Sequence, residues 1–381
     1  MTALALYNGL IFDGEAIRDG HAVLIDNDRI RALLPEVELP AALPRQSLEG
    51  GLLVPGFIDL QVNGGGGVLF NDHPTVTGIR AIAAAHGRYG TTGLLPTLIS
   101  SDAPTMAAAV AAVAEARRQG VPGVLGIHLE GPYLNPTRKG VHDPRWMRPV
   151  DAQLPQWLDT PDLGSVLLTL APEQVEADLI RGLSARGVRV FAGHTAASYE
   201  QVRTALEAGL SGFTHLFNAM TPLDSREPGV VGAALEHTAS WCGLIVDGHH
   251  VHPATLRVAL AAKTPGRMFL VTDAMPTVGW AGDSFPLDGR TIHRADGRLT
   301  TADGTLAGSD LDMASAVRNT VNLLGLPLEE ALRMASLYPA QCLGLDHARG
   351  RIAPGYRADL VLLDEGLRVQ RTWIGGAAVH P

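Results

Sequence analysis

The sequence has few cysteines and no excess of basic residues, and each shortage argues against a class of protein. Only Cys242 and Cys342 are present among 381 residues, both in apolar contexts, so a disulfide framework is not expected. The formal net charge of −9 argues against a nucleic-acid-binding surface or a polybasic membrane patch. No apolar run is long enough for a transmembrane span, and the N-terminal residues lack a basic n-region followed by an apolar core. We therefore expect a soluble, cytoplasmic protein without membrane or nucleic-acid partners.

The motifs of several enzyme classes are also missing. The glycine run of residues 64–67 is followed by neither Gly-Lys-Ser/Thr nor G-x-G-x-x-G, so a P-loop or dinucleotide site is not predicted. Those glycines are better explained by a tight backbone turn. The chain also lacks a G-x-S-x-G elbow and a reactive-cysteine signature, which argues against a covalent acyl-enzyme.

The middle of the chain alternates apolar segments with Ala-rich amphipathic stretches. The apolar segments predict eight strands, at residues 57–62, 92–98, 124–130, 166–173, 188–194, 212–218, 241–248 and 268–274. Strands separated mostly by helices are typical of an α/β fold of the (β/α)₈ barrel type, with a doubly wound open sheet as the alternative. Both chain ends show the period-two pattern of antiparallel strands. We predict one small sheet domain from residues 1–53 and 346–381, and a barrel from residues 54–345.

Most of the predicted strands end in a side chain capable of chemistry: Gln61, Thr97, Glu130, Glu173, His194, His215, Asp247 and Asp273. Barrel enzymes assemble their sites from the C-terminal ends of the strands, so the convergence favours the barrel. Glu130, His194 and His215 supply one carboxylate and two imidazoles, a set suited to Zn²⁺ or another borderline divalent metal. For each residue alone, an ordinary hydrogen-bonded side chain at a strand end is the alternative.

Four further residues are candidates for acid/base chemistry or binding. Asp273 could be a general base near the metal or a turn aspartate. His142, which ends a long polar loop, could polarise a carbonyl or be a plain loop histidine. Arg226 could hold a phosphate or carboxylate, or be a surface arginine. His250, in the segment DGHHVHP, is a further candidate.

Gln61 and Asn63 stand where many hydrolases with such an entry strand carry two histidines. One hypothesis is a non-catalytic scaffold that has lost its metal ligands. The other is a site for one metal ion, in which the two amides only donate or accept hydrogen bonds. Because Glu130, His194 and His215 already form a sufficient ligand set, we predict one ion per chain.

Several motifs together resemble those of N-acetylglucosamine-6-phosphate deacetylases of the amidohydrolase superfamily: PGFIDLQVNG, GIHLEGPYLNPTRKGVH, GHTAASY, THLFNAM, DGHHV, VTDAM, GTLAGS and PGYRADLVLLD. The resemblance covers essentially the whole chain. It implies a barrel with a small β-sandwich formed by both termini. It also implies hydrolysis of the N-acetyl amide of N-acetyl-D-glucosamine 6-phosphate to glucosamine 6-phosphate and acetate, in amino-sugar catabolism and cell-wall sugar recycling.

The resemblance also implies roles for single residues. Glu130, His194 and His215 match metal ligands, and Asp273 matches the catalytic acid/base. His142 matches a residue near the acetyl carbonyl and is counted with both the catalytic and the substrate-binding residues. The remaining substrate-binding candidates are Gln61, Asn63, Asn218, Ala219, Arg226, His250 and, in a segment lining the sugar, Ala307.

The implied cofactor is one divalent metal per subunit, with zinc first and Fe²⁺, Co²⁺ or Mn²⁺ as alternatives. The implied assembly is a homodimer in which the phosphate-binding arginine can come from the partner. Other substrates stay open, namely N-acetylgalactosamine 6-phosphate or, more distantly, an N-acyl amino acid.

Overall fold

Eight parallel strands form the central sheet in a computed structural model that describes residues 3–380. Barrel strands 1 to 8 are, in order, Phe57–Val62, Thr91–Ile99, Gly126–Glu130, Ser165–Leu170, Arg189–Ala192, Gly212–Phe213, Trp241–Leu244 and Met268–Leu270. Each strand pairs in parallel with the next along the chain. The predicted barrel fold is thereby confirmed.

Helices follow most barrel strands and cover the outside of the sheet. They span Val76–Gly87, Ala103–Arg118, Leu154–Leu158, Ala177–Ala185, Tyr199–Glu207, Gly229–Glu236, Pro253–Ala262, Met313–Leu324, Leu328–Ala335 and Leu337–Leu343. Local capping explains several of their starts. Asp102 accepts a hydrogen bond from the Thr105 amide, and Ser198 forms a reciprocal capping box with Gln201. Gly325 ends one helix in the left-handed conformation, with φ at 72°.

Barrel strands 5 to 8 end two to five residues before the predicted ends. After barrel strands 5, 6 and 8 the chain leaves the extended conformation by His194, His215 and Asp273, whose φ angles are 48°, 32° and 53°. A left-handed residue cannot continue a strand. The prediction that these candidates terminate strands was therefore slightly wrong, since they lie in the loops just beyond.

Barrel strands 8 and 1 close the barrel through an irregular seam. A single parallel bridge joins Val62 to Ala274. The Asp273 amide donates to the Gln61 carbonyl over 2.9 Å, and the Asn63 amide donates to the Ala274 carbonyl over 2.9 Å. These bonds lie beside the polar residues that follow strand 1, so the seam and the candidate site share the same backbone.

Both chain ends contribute to two further sheets outside the barrel. Their strands are Leu4–Tyr7, Leu10–Phe12, Ile17–Arg18, His21–Asp26, Arg29–Pro35, Arg45–Ser47, Leu52–Pro55, Leu360–Leu363, Val369–Ile374 and Ala377–His380. An apolar cluster that includes Leu6, Ile30, Leu360 and Trp373 unites residues from the two ends. Most pairs are antiparallel as predicted, but two are parallel: Leu4–Tyr7 with Arg45–Ser47, and Leu10–Phe12 with Leu52–Pro55.

A four-stranded antiparallel sheet follows barrel strand 8 and was not predicted from the sequence. Its strands are Ser284–Leu287, Arg290–Ala295, Arg298–Thr300 and Leu306–Ser309. Its turns at Asp288-Gly289 and Asp296-Gly297 place both residues at positive φ, the preferred chemistry of tight hairpins. The last strand brings residues 306–309 to the mouth of the barrel.

Among residues 3–380, no helix has both the length and the apolar character needed to cross a membrane.

Candidate active site

Glu130, His194 and His215 meet in the centre of the barrel mouth, as the sequence predicted. Glu130 Oε1 lies 3.1 Å from His194 Nε2 and 3.0 Å from His215 Nε2, and the two Nε2 atoms are 3.1 Å apart. All three side chains are buried. They form a group able to hold a metal ion.

The donor chemistry of this cluster fits a cation. His194 Nδ1 lies 2.9 Å from the Arg138 carbonyl, which can only accept, so Nδ1 carries the proton and Nε2 presents a lone pair. That lone pair faces a carboxylate oxygen and a second imidazole nitrogen. Electron-rich atoms so close together repel unless a metal ion or a proton lies among them. A metal ligand whose other ring nitrogen bonds a carbonyl is also the usual arrangement.

The charges of the cluster are strongly coupled. Burial acts to raise the pKa of Glu130, but the neighbouring imidazoles of His194 and His215 outweigh it and hold that pKa well below its usual value. Burial likewise acts to lower the pKa of His215, yet the contact with Glu130 raises it overall. Glu130 is therefore ionised at neutral pH and attracts a positive charge to the cluster.

Glu173 supports the loop that carries His194. Its carboxylate accepts hydrogen bonds from the Thr195 hydroxyl over 2.5 Å and the Ala196 amide over 2.7 Å. It also accepts one from Asn135, in the loop after barrel strand 3, over 2.9 Å. Thr97, another predicted strand-end candidate, bonds instead to the Val62 amide and to His128 in the barrel interior. Both residues stabilise the scaffold and lie outside the cavity lining.

The Gln61 side chain links Asp273 to Glu130, and Asn63 adds a second hydrogen bond to Asp273. Gln61 Nε2 donates to Glu130 Oε2 over 3.2 Å and to Asp273 Oδ1 over 3.0 Å. Asn63 Nδ2 donates to the same Asp273 oxygen over 2.7 Å. Amide nitrogens have no lone pair to offer a metal, so this orientation directs both residues toward the carboxylates.

The environment of Asp273 suits proton transfer near neutral pH. Burial, together with the negative charge of Glu130, raises the pKa of Asp273 to about 6. The nearby His215, His250 and Asn63 act in the opposite direction. A carboxyl group with such a pKa can both accept and return a proton in a neutral solution.

His142 presents a proton donor to the same cavity. Its Nδ1 accepts from the Ser100 amide over 3.3 Å, so in this tautomer Nε2 carries the proton. Nε2 lies 3.9 Å from Glu130 Oε1. Burial, with a contribution from His194, lowers the pKa of His142 to about 3, so the ring is neutral at physiological pH. A neutral N–H directed into the cavity is suited to a carbonyl oxygen.

A cavity of about 400 Å³ surrounds these groups. Of the predicted substrate-binding residues, it is lined by Asn63, His142, Asn218, Ala219 and His250. Asp247 fixes His250, because its Oδ2 lies 2.6 Å from His250 Nδ1 and its Oδ1 accepts the His250 amide. This pairing leaves the other ring nitrogen of His250 available to a ligand.

Three predicted substrate-binding residues lie outside the cavity lining. Gln61 instead contacts Glu130 and Asp273. Ala307 is fully buried in an apolar cluster with Ile99 and Met275, while its neighbours Leu306 and Gly308 line the cavity. Arg226 is exposed on the loop after barrel strand 6 and is not part of the cavity lining within this chain. The sequence missed Ser100, which orients His142. A serine two residues after a predicted strand is a weak signal, and only the fold reveals its partner.

Comparisons with known proteins agree with this geometry. The Amidohydrolase family matches residues 52–379, and the NagA composite domain matches residues 4–53. An N-acetylgalactosamine-6-phosphate deacetylase from Shewanella sp. (strain ANA-3) is 45% identical over 90% of this chain and 87% of its own length. An N-acetylglucosamine-6-phosphate deacetylase from Haemophilus influenzae is 34% identical over 98% of both chains. The solved structure of the Pasteurella multocida N-acetylglucosamine-6-phosphate deacetylase superposes with a TM-score of 0.95, at 36% identity and over 99% of both chains.

Proposed function

The chain belongs to the amidohydrolase family, and from that membership we propose that it hydrolyses the N-acetyl amide of an N-acetylhexosamine 6-phosphate. N-acetyl-D-glucosamine 6-phosphate, the substrate expected from the sequence motifs, would give glucosamine 6-phosphate and acetate. The observation that carries the proposal is the pairing of a buried Glu130, His194 and His215 cluster with Asp273. That pairing joins a metal site to a carboxyl group of near-neutral pKa.

The cofactor in this proposal is one divalent ion held by Glu130, His194 and His215, with zinc as the first candidate. When bound, it supplies Lewis-acid activation of water and of the amide carbonyl. Gln61 and Asn63 favour a single ion, because their amide groups donate to Asp273 and Glu130 and leave no histidine pair for a second one.

In this proposal, individual residues of the chain transfer the proton, stabilise the oxyanion and position the base. Asp273 accepts the proton of the attacking water and returns it to the leaving amine. The Nε2–H group of His142 donates a hydrogen bond to the oxyanion that develops on the acetyl carbonyl. Gln61 and Asn63 hold the Asp273 carboxylate in place through their hydrogen bonds. Removal of these donors would let the base rotate away from the water.

Phosphate recognition is assigned to His250, Asn218, Ala219 and Arg226. The first three line the cavity in this chain. Arg226 lies on an exposed loop, which suits the proposal that the arginine acts across a homodimer interface. Two free, buried cysteines suit a reducing compartment such as the cytoplasm.

N-acetylgalactosamine 6-phosphate is the second candidate substrate. The Shewanella relative, an N-acetylgalactosamine-6-phosphate deacetylase, is 45% identical to the chain. The Haemophilus N-acetylglucosamine-6-phosphate deacetylase is 34% identical. The two sugars differ at one hydroxyl group, so the same metal and base would serve both.

A direct assay tests the proposal. Acetate release would be measured from both phosphorylated sugars and from unphosphorylated N-acetylglucosamine, before chelation, after chelation and after metal add-back. We expect release from at least one phosphorylated sugar, loss on chelation and recovery on add-back. No release from either phosphorylated sugar by the metal-loaded protein would contradict the proposal and favour the scaffold hypothesis.

A further inference from the structure

Asp59 is a buried carboxyl group that the proposed mechanism does not use. It lies in barrel strand 1, is fully buried and is absent from the cavity lining. Among the described residues no lysine or arginine forms a salt bridge with it. A buried carboxyl group without a cationic partner is costly, so its position calls for an explanation beyond packing.

The contacts of Asp59 all lie at the seam between barrel strands 1 and 8. Its Oδ2 accepts from the Thr272 hydroxyl over 2.5 Å. Its Oδ1 accepts from the backbone amides of Thr272 and Gln61, each over 3.2 Å. The side chain therefore supplies an acceptor for the Thr272 amide where the backbone ladder between the two strands is interrupted.

Asp273, the next residue, has a left-handed backbone that needs such support. A non-glycine residue at a φ of 53° is strained and persists only where its surroundings enforce it. The Thr272 hydroxyl also accepts from the Ala274 amide over 3.2 Å. On the other side, the Ser309 amide donates to the Asp273 carbonyl over 2.9 Å. The residues before and after Asp273 are thus both tied to the Asp59–Thr272 pair.

We propose that Asp59 is a positioning residue for the general base. Its carboxyl group bonds Thr272 and the backbone amide of Gln61, and through them it holds Asp273 in the left-handed conformation that directs the Asp273 carboxylate to the metal cluster. This inference rests on the proposed function, because it assumes that Asp273 performs the proton transfer. It adds a residue that touches neither substrate nor metal.

The hydrogen-bond pattern also indicates which replacement preserves the role. Burial raises the pKa of Asp59 to about 7, so the neutral carboxyl group is well populated. In that form it can donate to the Thr272 hydroxyl, which then donates to the Gln61 carbonyl, 3.3 Å away. Asparagine has the same shape, with one acceptor and one donor group, and can reproduce every bond of that neutral form. Leucine has a similar size but can form none of them.

The test compares Asp59→Leu with Asp59→Asn in the full-length metal-loaded protein. We expect Asp59→Leu to lower kcat by about 10–100-fold with little change in KM, as expected for a misplaced catalytic group. Metal content should stay at the wild-type level, and a crystal structure should show Asp273 rotated from its left-handed conformation. Asp59→Asn should retain kcat within about threefold of wild type.

The control is Thr92→Val, which removes a buried hydroxyl that donates to the Phe57 carbonyl, away from the cavity. It should lower the melting temperature without changing kcat. If Asp59→Leu does not fold, Thr272→Val takes its place, with the same expected loss of kcat. A wild-type kcat in folded Asp59→Leu or in Thr272→Val would overturn the inference. So would an Asp59→Asn variant as impaired as Asp59→Leu. Inactivity of the wild-type protein on both sugar phosphates would instead refute the proposed function.

Discussion

The proposed site has an inner end in the cavity and an outer end on the loop of Arg226, and this chain builds the two ends to different degrees. At the inner end, Glu130, His194 and His215 are buried and contact one another, and Asp273 is held near them by hydrogen bonds from Gln61 and Asn63. At the outer end, Arg226 lies on a loop of exposed residues, 222–227, outside the cavity lining.

Under the proposed function, this difference separates chemistry from substrate anchoring. Groups that transfer protons or bind a metal need low solvent exposure and fixed geometry, which a closed barrel supplies within one chain. A group that anchors a phosphate needs only charge and reach, so it can lie on a loop or come from a partner subunit. Variants at the two ends should therefore fail in different ways.

Glu130→Gln should have the largest effect. The substitution removes the negative charge that both histidine Nε2 atoms face, so the site should lose its ion. We expect turnover to fall by about 10³-fold or more, the scale of a lost metal contribution of several kcal/mol. Metal analysis and acetate release would measure both effects.

The matched control is Glu115→Gln, which changes a glutamate paired with Arg118 on a surface helix. Its metal content and turnover should equal those of wild type, which is expected to hold one ion per chain. A tightly bound ion and normal turnover in Glu130→Gln would show that the inner end is not the metal site. A stoichiometry near two, with both ions required, would contradict the assignment of Gln61 and Asn63.

Asp273→Asn should separate proton transfer from metal binding. Asparagine keeps the shape of the side chain but cannot accept the proton, so turnover should fall by about 10²–10⁴-fold. Metal content and the unfolding midpoint should stay near wild type, because Asp273 is not one of the three grouped ligands. Near-wild-type turnover would remove Asp273 from the mechanism.

Arg226→Ala should affect binding more than chemistry. Loss of one charge-assisted hydrogen bond to phosphate corresponds to about 1.5–3 kcal/mol, so KM should rise by about 10–100-fold with little change in kcat. Arg203→Ala, on the surface helix Tyr199–Glu207, is a control that should leave KM unchanged. A large loss of kcat without a change in KM would mean that the loop serves the chemistry instead.

Features that follow from local sequence patterns were predicted better than features that tertiary contacts impose. Eight apolar segments and their polar ends identified the barrel and the grouping of Glu130, His194 and His215, because closure of a parallel sheet brings strand ends together. The hairpin sheet at residues 284–309 was missed, since its strands are only three to six residues long and give too short a pattern to recognise. The left-handed turns at His194, His215 and Asp273 were missed because tertiary contacts impose them against local preference.

Contacts between distant segments were the least predictable part of the site. Ser100 meets His142, and Asp59 meets Thr272, across 42 and 213 positions of the chain. No local pattern records such pairs. The roles assigned to individual residues, and the domain boundaries after residues 53 and 345, stay predictions.

The pH profile should give the smallest effect, about tenfold per pH unit, and it bears only on the inner end. As a base, Asp273 must be ionised, so kcat/KM should fall as acid protonates it. Burial and the charge of Glu130 raise the pKa of Asp273 from 3.8 to about 6. A bound cation opposes part of that rise, so we expect the acid limb above pH 4 and no higher than about pH 6. Metal content measured at each pH would separate base protonation from ion loss. An activity that stays flat down to pH 4, with the ion retained, would mean that burial does not tune this carboxylate.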